Sequence, residues 1–181
     1  MITKAKWSID DYHRMIKAGI LNERRVELLN GEIIEMSPEG SFHASTTDRL
    51  AEILRSLLRD KAKVREAHPI TLIASEPEPD IAVVKLPSSL YRDRHPYPED
   101  IYLSIEISDT TLSYDLGEKK LVYARALIQE YWVVDIKAKK LTVFRQPING
   151  NYQSKKEYAT GKISPVAFRD IAIDIQDIFV D

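Results

Sequence analysis

Asp80, Glu106 and a lysine at position 119 or 120 are the residues of this 181-residue chain whose types and spacing could do chemistry together. Each carboxylate falls at one end of an apolar, β-branched run. Asp80 precedes Ile81, Ala82, Val83 and Val84, and Glu106 lies near the end of residues 101–108. If those runs are neighbouring strands, the pair makes an oxygen-rich site for a hard divalent cation. An amine beside it could orient a metal-bound water and help deprotonate it. The bland reading is a turn aspartate after Pro79 and a simple Glu–Lys ion pair.

The elements that must position these groups can be read from periodicity. Ile101, Leu103, Ile105 and Ile107 alternate with Tyr102, Ser104, Glu106 and Ser108, so they occupy opposite faces of one strand. A charge at Glu106 needs a partner there. Asp109, Thr110 and Thr111 break the strand. Asp115 and Glu118 have the spacing of a capping box, which predicts a helix from about Leu116. Its expected buried stripe is Leu116, Tyr123 and Leu127; Lys119 and Lys120 flank that stripe equally, so periodicity does not choose between them. Residues 85–99, rich in Pro, Ser, Arg and Tyr, predict an ordered surface loop between the two carboxylate strands that could gate the site.

Around this centre, residues 8–17 predict a helix capped by Ser8, with Ile9, Tyr12 and Ile16 inward and Gly19 at its end. Asn30 and Gly31 between two apolar runs predict a hairpin. Glu27 lies in its first strand, and alternation alone favours a solvent-facing glutamate over a third acid at the site. Residues 44–60 predict a long amphipathic helix, with His43 just before it as a local hydrogen-bonding group. Short strands are expected at 64–67, 70–73, 130–136, 141–145 and 152–158, and the tail ends in Ile178, Phe179 and Val180. The order predicts one α/β domain over residues 1–181, with a central mixed sheet flanked by helices.

Composition narrows the function classes. There is no cysteine, which excludes disulfides, zinc-thiolate sites and thiol nucleophiles, and the four histidines lack zinc-site spacing. No apolar run reaches membrane-spanning length, and the N-terminus lacks an apolar signal core; the expected location is the cytoplasm. The net charge of −2 and pI of about 6.1 lack the basic footprint of a dedicated nucleic-acid binder. A locally positive groove can still exist on a neutral protein. The basic clusters at 24–25, 55–65 and 137–140 read singly as solvated faces.

A Pro-Asp, then a strand-end Glu, then a Lys is the pattern of the PD-(D/E)xK nuclease superfamily. Over residues 8–179 the chain resembles one of its branches, the Uma-type restriction-endonuclease family, long catalogued as a domain of unknown function. The resemblance rests on Val26, Glu27 and Leu28 with Asn30, Gly31 and Glu32; on Ser37, Pro38 and His43; and on Glu78, Pro79, Asp80 and Ile81. It continues through Glu106, Ile107 and Ser108, residues 115–119, Tyr123 and Ala124, and residues 130–135. Ser108 stands where the superfamily's lysine is expected, and the resemblance assigns that role to Lys119 on the following helix. It implies a restriction-endonuclease-like fold and a Mg²⁺-dependent (or Mn²⁺-dependent) endonuclease acting on DNA. Asp80, Glu106 and the Ile107 carbonyl would be the metal ligands and Lys119 the amine, with Glu27, and more weakly His43, beside the site. It also implies a homodimer, since many proteins of this fold pair to cut both strands. The competing expectation is a catalytically silent binding module on the same fold.

Overall fold

The computed structural model describes residues 3–179, so Val180 lies outside the described residues. Its centre is a six-stranded mixed sheet in the order β3–β4–β5–β6–β7–β8. The strands are β3 (Lys63–Glu66), β4 (Ile81–Val84), β5 (Ile101–Ser108), β6 (Glu130–Asp135), β7 (Lys140–Ile148) and β8 (Asn151–Tyr158). Only β5 and β6 run parallel, and the helical crossover between them follows from that. Two hairpin-like pairs stand apart from this sheet: β1 (Val26–Leu29) with β2 (Glu32–Glu35), and β9 (Lys162–Ile163) with β10 (Ile173–Asp174).

Both faces of the sheet are covered. On one, α2 (Ser41–Leu58) packs Leu50, Ala51, Leu54 and Leu58 against Val83, Leu103, Ile105 and Trp132, and α5 (Ile175–Ile178) joins this core. On the other, α4 (Lys120–Arg125) supplies Val122, Tyr123 and Ala124 to a core with Ala82, Tyr131, Val133 and Phe144. Burial on both sides explains the near-continuous apolar runs of β4 and β6. The α4 side is entered through α3 (Leu112–Tyr114) and a π-helical turn, Asp115–Lys119.

Several sequence expectations hold. α1 (Ile9–Lys17) starts at a Ser8–Asp11 capping box, and Asn30 and Gly31, both at positive φ, turn the β1–β2 hairpin. Others are corrected. Helical structure starts at Leu112 rather than Leu116, because the Asp115 carboxylate turns inward instead of capping. Ile16 and Leu127 are exposed, the first on the open side of α1 and the second beyond the end of α4. No strand forms at 70–73: Leu72 N–H turns back to Ser75 O, and Ile70 N–H bonds Pro77 O. His43 sits inside the first turn of α2.

Alternation along β5 holds only from Leu103. The register skips Tyr102 between Val83↔Leu103 and Val84↔Ile101. This bulge sends Ile101 into the α4-side core and Tyr102 onto Phe168 of the other core.

The loop over 85–100 does not gate the carboxylates. β4 and β5 are antiparallel, with Ile81 opposite Ile105 and Val84 opposite Ile101. The connection therefore leaves from the Val84 end, a full strand away from Asp80 and Glu106. It folds into two 3₁₀ turns braced by Arg94 on Asp100 and on the Tyr97 ring.

The hairpin turn tests the placement of β1. Gly31 has φ +74°, and a Cβ there would meet Lys6 Cβ at 2.9 Å and Trp7 O at 3.0 Å. Gly31→Ala is expected to lower unfolding free energy by about 2 kcal/mol in urea titration. An unchanged midpoint would mean the N-terminal segment does not pack on this turn.

Candidate active site

Register places the two sequence-selected carboxylates together. Ile81 pairs with Ile105 in the antiparallel β4–β5 ladder, so the preceding residue, Asp80, stands opposite Glu106 on the same face. Asp80 lies just past the paired end of β4, where Ile107 N–H donates to its Oδ2 at 2.7 Å. Strand geometry sends the N–H and C=O of one residue to the same edge, so the Ile107 carbonyl also faces the Asp80 side. Both acids line a cleft of about 290 Å³ at this end of the sheet.

Glu106 is 3% exposed. Its Oε1 accepts from the Tyr123 hydroxyl at 2.6 Å, and its Oε2 lies 3.1 Å from Lys119 Nζ. Lys119, 6% exposed and carried by the π turn, also lies 3.3 Å from Glu27 Oε1. Lys120 points away, its ammonium 5.8 Å from the centre of the Phe144 ring. The structure thus distinguishes the two lysines that periodicity left open.

Glu27 is 2% exposed, which corrects the solvent-facing reading. The face it shares with Leu29 is an inner one. β1 lies against the segment before β4, with Leu28 paired to Glu76, and Glu78 N–H donates to Glu27 Oε2 at 3.1 Å. That contact braces the Glu78–Pro79–Asp80 approach from outside the main sheet.

Ser108, where an amine was expected, does other work. Its hydroxyl and that of Thr111 both donate to Asp115 Oδ2, at 2.7 and 2.6 Å. The Tyr131 hydroxyl donates to the Asp115 carbonyl at 3.0 Å. These bonds fix the π turn against the end of β5 and so aim Lys119. Asp115 and Tyr123 were read from sequence as a cap and a core aromatic; the i, i+4, i+8 spacing of 115, 119 and 123 is the signal that could have joined them.

His43 bridges the cleft wall. Its Nε2 lies 3.2 Å from Asp80 Oδ2 and its Nδ1 2.8 Å from Glu39 Oε1. Burial disfavours the imidazolium, but hydrogen bonds and charge from Asp80 and Glu39 outweigh it and push the pKa up to about 9. Among the described residues, no hydrogen bond engages Asp80 Oδ1.

The electrostatics of the cleft are one-sided. Eight carboxylates line it against Arg25, Lys119 and His43, so the local field is acidic, not the positive groove that a neutral protein could have carried. Burial first, and then repulsion from Asp80, Asp115 and Glu27, raises the Glu106 carboxyl well above its ordinary range, with Lys119 opposing. Burial lowers the Lys119 pKa, but the charges of Glu106, Glu27, Asp115 and Asp80 outweigh it and raise it above the ordinary lysine value. Lys119 is thus held as a charged neighbour of Glu106 and Glu27.

The oxygen-only donor set of Asp80, Glu106 and the Ile107 carbonyl suits a hard cation. Among the described residues no group of three or more carboxylates and imidazoles forms a dedicated metal cage. Mg²⁺ does not need one, because it keeps several waters and binds through one or two carboxylates plus substrate oxygens. Each carboxylate oxygen that already accepts one bond retains a further lone pair.

Among the described residues, no helix is long and apolar enough to cross a membrane. No curated protein matches the chain. Its fold is similar to the crystal structure of a protein from Anabaena variabilis described as "a putative nuclease belonging to DUF820". The TM-score is 0.73 at 18% identity, covering 87% of this chain and 90% of that one. The Uma2 family, described as "Putative restriction endonuclease", matches residues 9–176, and the chain belongs to that family.

Proposed function

We propose that this chain is a metal-dependent endonuclease that hydrolyses DNA phosphodiester bonds. The observation that carries the reading is the cross-strand pair Asp80–Glu106 on one sheet face, with the Lys119 ammonium 3.1 Å from Glu106. Asp80, Glu106 and the Ile107 carbonyl would hold Mg²⁺ or Mn²⁺, which when bound acts as a Lewis acid on the phosphate and lowers the pKa of a coordinated water. Lys119 orients the attacking water, whose proton passes to solvent, and offsets charge that builds on phosphate oxygens as the water oxygen bonds to phosphorus, one P–O ester bond breaks and the leaving oxygen takes a proton from solvent. Glu27 holds Lys119 in place, and His43 orients Asp80 while its other nitrogen is fixed by Glu39. Both act through other side chains and are positioning residues.

The first test is a Mg²⁺- and Mn²⁺-dependent cleavage assay on plasmid and single-stranded DNA. Asp80→Ala is expected to abolish nicking and to weaken Mn²⁺ binding by at least about tenfold in calorimetric titration. DNA binding without cleavage, unchanged in Asp80→Ala, would favour the silent-module reading instead.

Lys119→Ala is expected to eliminate cleavage and to destabilise the metal-free protein by about 3 kcal/mol, because two buried carboxylates lose their cation. Lys120→Ala, whose ammonium lies over an aromatic ring, should cost under about 1 kcal/mol and leave cleavage intact. Activity in Lys119→Ala equal to wild type would remove the ammonium from the reaction.

We also propose a homodimer, in which two copies line one groove and cut both strands of a duplex. Light scattering at high micromolar concentration should return twice the chain mass; a monomer throughout that range would refute the pairing.

A further inference from the structure

Three buried side-chain polar atoms lack a hydrogen-bond partner among the described residues: Arg65 Nε, Ser104 Oγ and the Tyr114 hydroxyl. Of these residues, only Tyr114 lines the cleft with Asp80, Glu106 and Lys119. A buried hydroxyl without a partner is costly, and native proteins rarely keep one without a use. Its retention at the wall of a reaction cleft points to a partner that arrives from outside.

Two of the acidic neighbours are engaged elsewhere. Tyr114 feels the charges of Glu27, Glu118, Lys119 and Asp115. Glu27 gives one oxygen to Lys119 and the other to Glu78 N–H. Asp115 Oδ2 takes the hydroxyls of Ser108 and Thr111. Those bonds also hold the backbone that carries the phenol, since Tyr114 N–H bonds Thr111 O at 2.8 Å and Asp115 follows directly. The backbone that carries the ring is thus held, the ring packs on the core, and its hydroxyl is left unspent. Burial, reinforced by Glu27 and Glu118, raises the phenol pKa above its ordinary value, so the group stays a neutral O–H donor across the working pH range. A fixed donor beside an ammonium suits an anionic oxygen.

We infer that the Tyr114 hydroxyl donates a hydrogen bond to a non-bridging oxygen of the phosphodiester seated in the cleft, which makes Tyr114 a substrate-contacting residue. The inference rests on the nuclease reading and adds a direct substrate contact to it. It separates Tyr114 from Tyr123, whose hydroxyl is already spent on Glu106.

Tyr114→Phe removes only the oxygen. Its melting temperature should equal or slightly exceed that of wild type, because no bond within the protein is lost. With Mg²⁺, kcat/KM on a DNA duplex should fall by roughly ten- to a hundredfold, the scale of one hydrogen bond to a charged group. Duplex affinity measured with Ca²⁺ in place of Mg²⁺ should fall by a similar factor. Wild-type kcat/KM and affinity in the variant would overturn the contact, as would a fall in melting temperature of several degrees that accounts for the lost activity. A loss of kcat with unchanged duplex affinity would also overturn it, placing the bond on the attacking water instead. If the wild-type protein cleaves nothing, the nuclease reading fails by itself, and a second measurement then decides the contact. With 3-fluorotyrosine at position 114, dimethyl phosphate should produce a saturable change in the ¹⁹F resonance; no change would overturn the inference.

Discussion

A single ammonium enclosed by carboxylates holds the site together. Lys119 lies 3.1 Å from Glu106 and 3.3 Å from Glu27, and all three side chains are almost fully buried. They come from three separate elements: the π turn, the central strand β5 and the hairpin strand β1. Removing one partner from such a buried set leaves uncompensated charge, which costs far more than the intact pair contributes. That asymmetry ties the hairpin to the sheet and the sheet to the crossover helix. The same geometry keeps the ammonium a donor to the two acids.

The π turn is what brings the lysine there. A π turn bonds i to i+5, and such turns are frequent at functional sites. Here it is clamped at both ends of one residue: Ser108 and Thr111 hold the Asp115 side chain, and Tyr131 holds its carbonyl. Ser108, at the end of β5, anchors the turn that carries the Lys119 ammonium to Glu106.

Much of this was legible in the sequence, and the misses have physical causes. The Ser8 cap and the Asn30–Gly31 turn depend on local chemistry, and they read correctly; that Asp80 stands opposite Glu106 depends on β4 lying beside β5. The expected stripe of Leu116, Tyr123 and Leu127 differs from the observed one because an apolar period passes over buried charges. The buried set is Asp115, Lys119, Val122, Tyr123, Ala124 and Ala126, and it includes two charged residues that hydropathy assigns to solvent. Centred on Asp115, the same period selects Lys119 over Lys120. Glu27 was hidden for another reason: its burial comes from the segment before β4, some fifty residues away, and alternation along a strand says nothing about what covers each face. The role imagined for residues 85–99 failed because sequence did not fix the direction of β4 relative to β5, and an antiparallel pair puts the connection at the far end.

The cleft also has a depth order that constrains how a substrate could meet it. The side chain of Asp80 is 20% exposed, against 4% for Glu106 and 8% for Lys119. Asp80, with His43 and Glu39 beside it, forms the open side, and the Glu106–Lys119 pair forms the floor. A phosphodiester entering from that side meets an acid-rich wall before it reaches the one buried ammonium. Under the nuclease reading, the cation held by Asp80 must therefore do two things: polarise the phosphate and reverse the local sign of the field that would otherwise repel it. The near-neutral charge of the whole chain fits that arrangement, since attraction concentrated at a bound metal does not require a basic surface. A shared fold at 18% identity does not establish this chemistry. The depth order of these few side chains is what supports it.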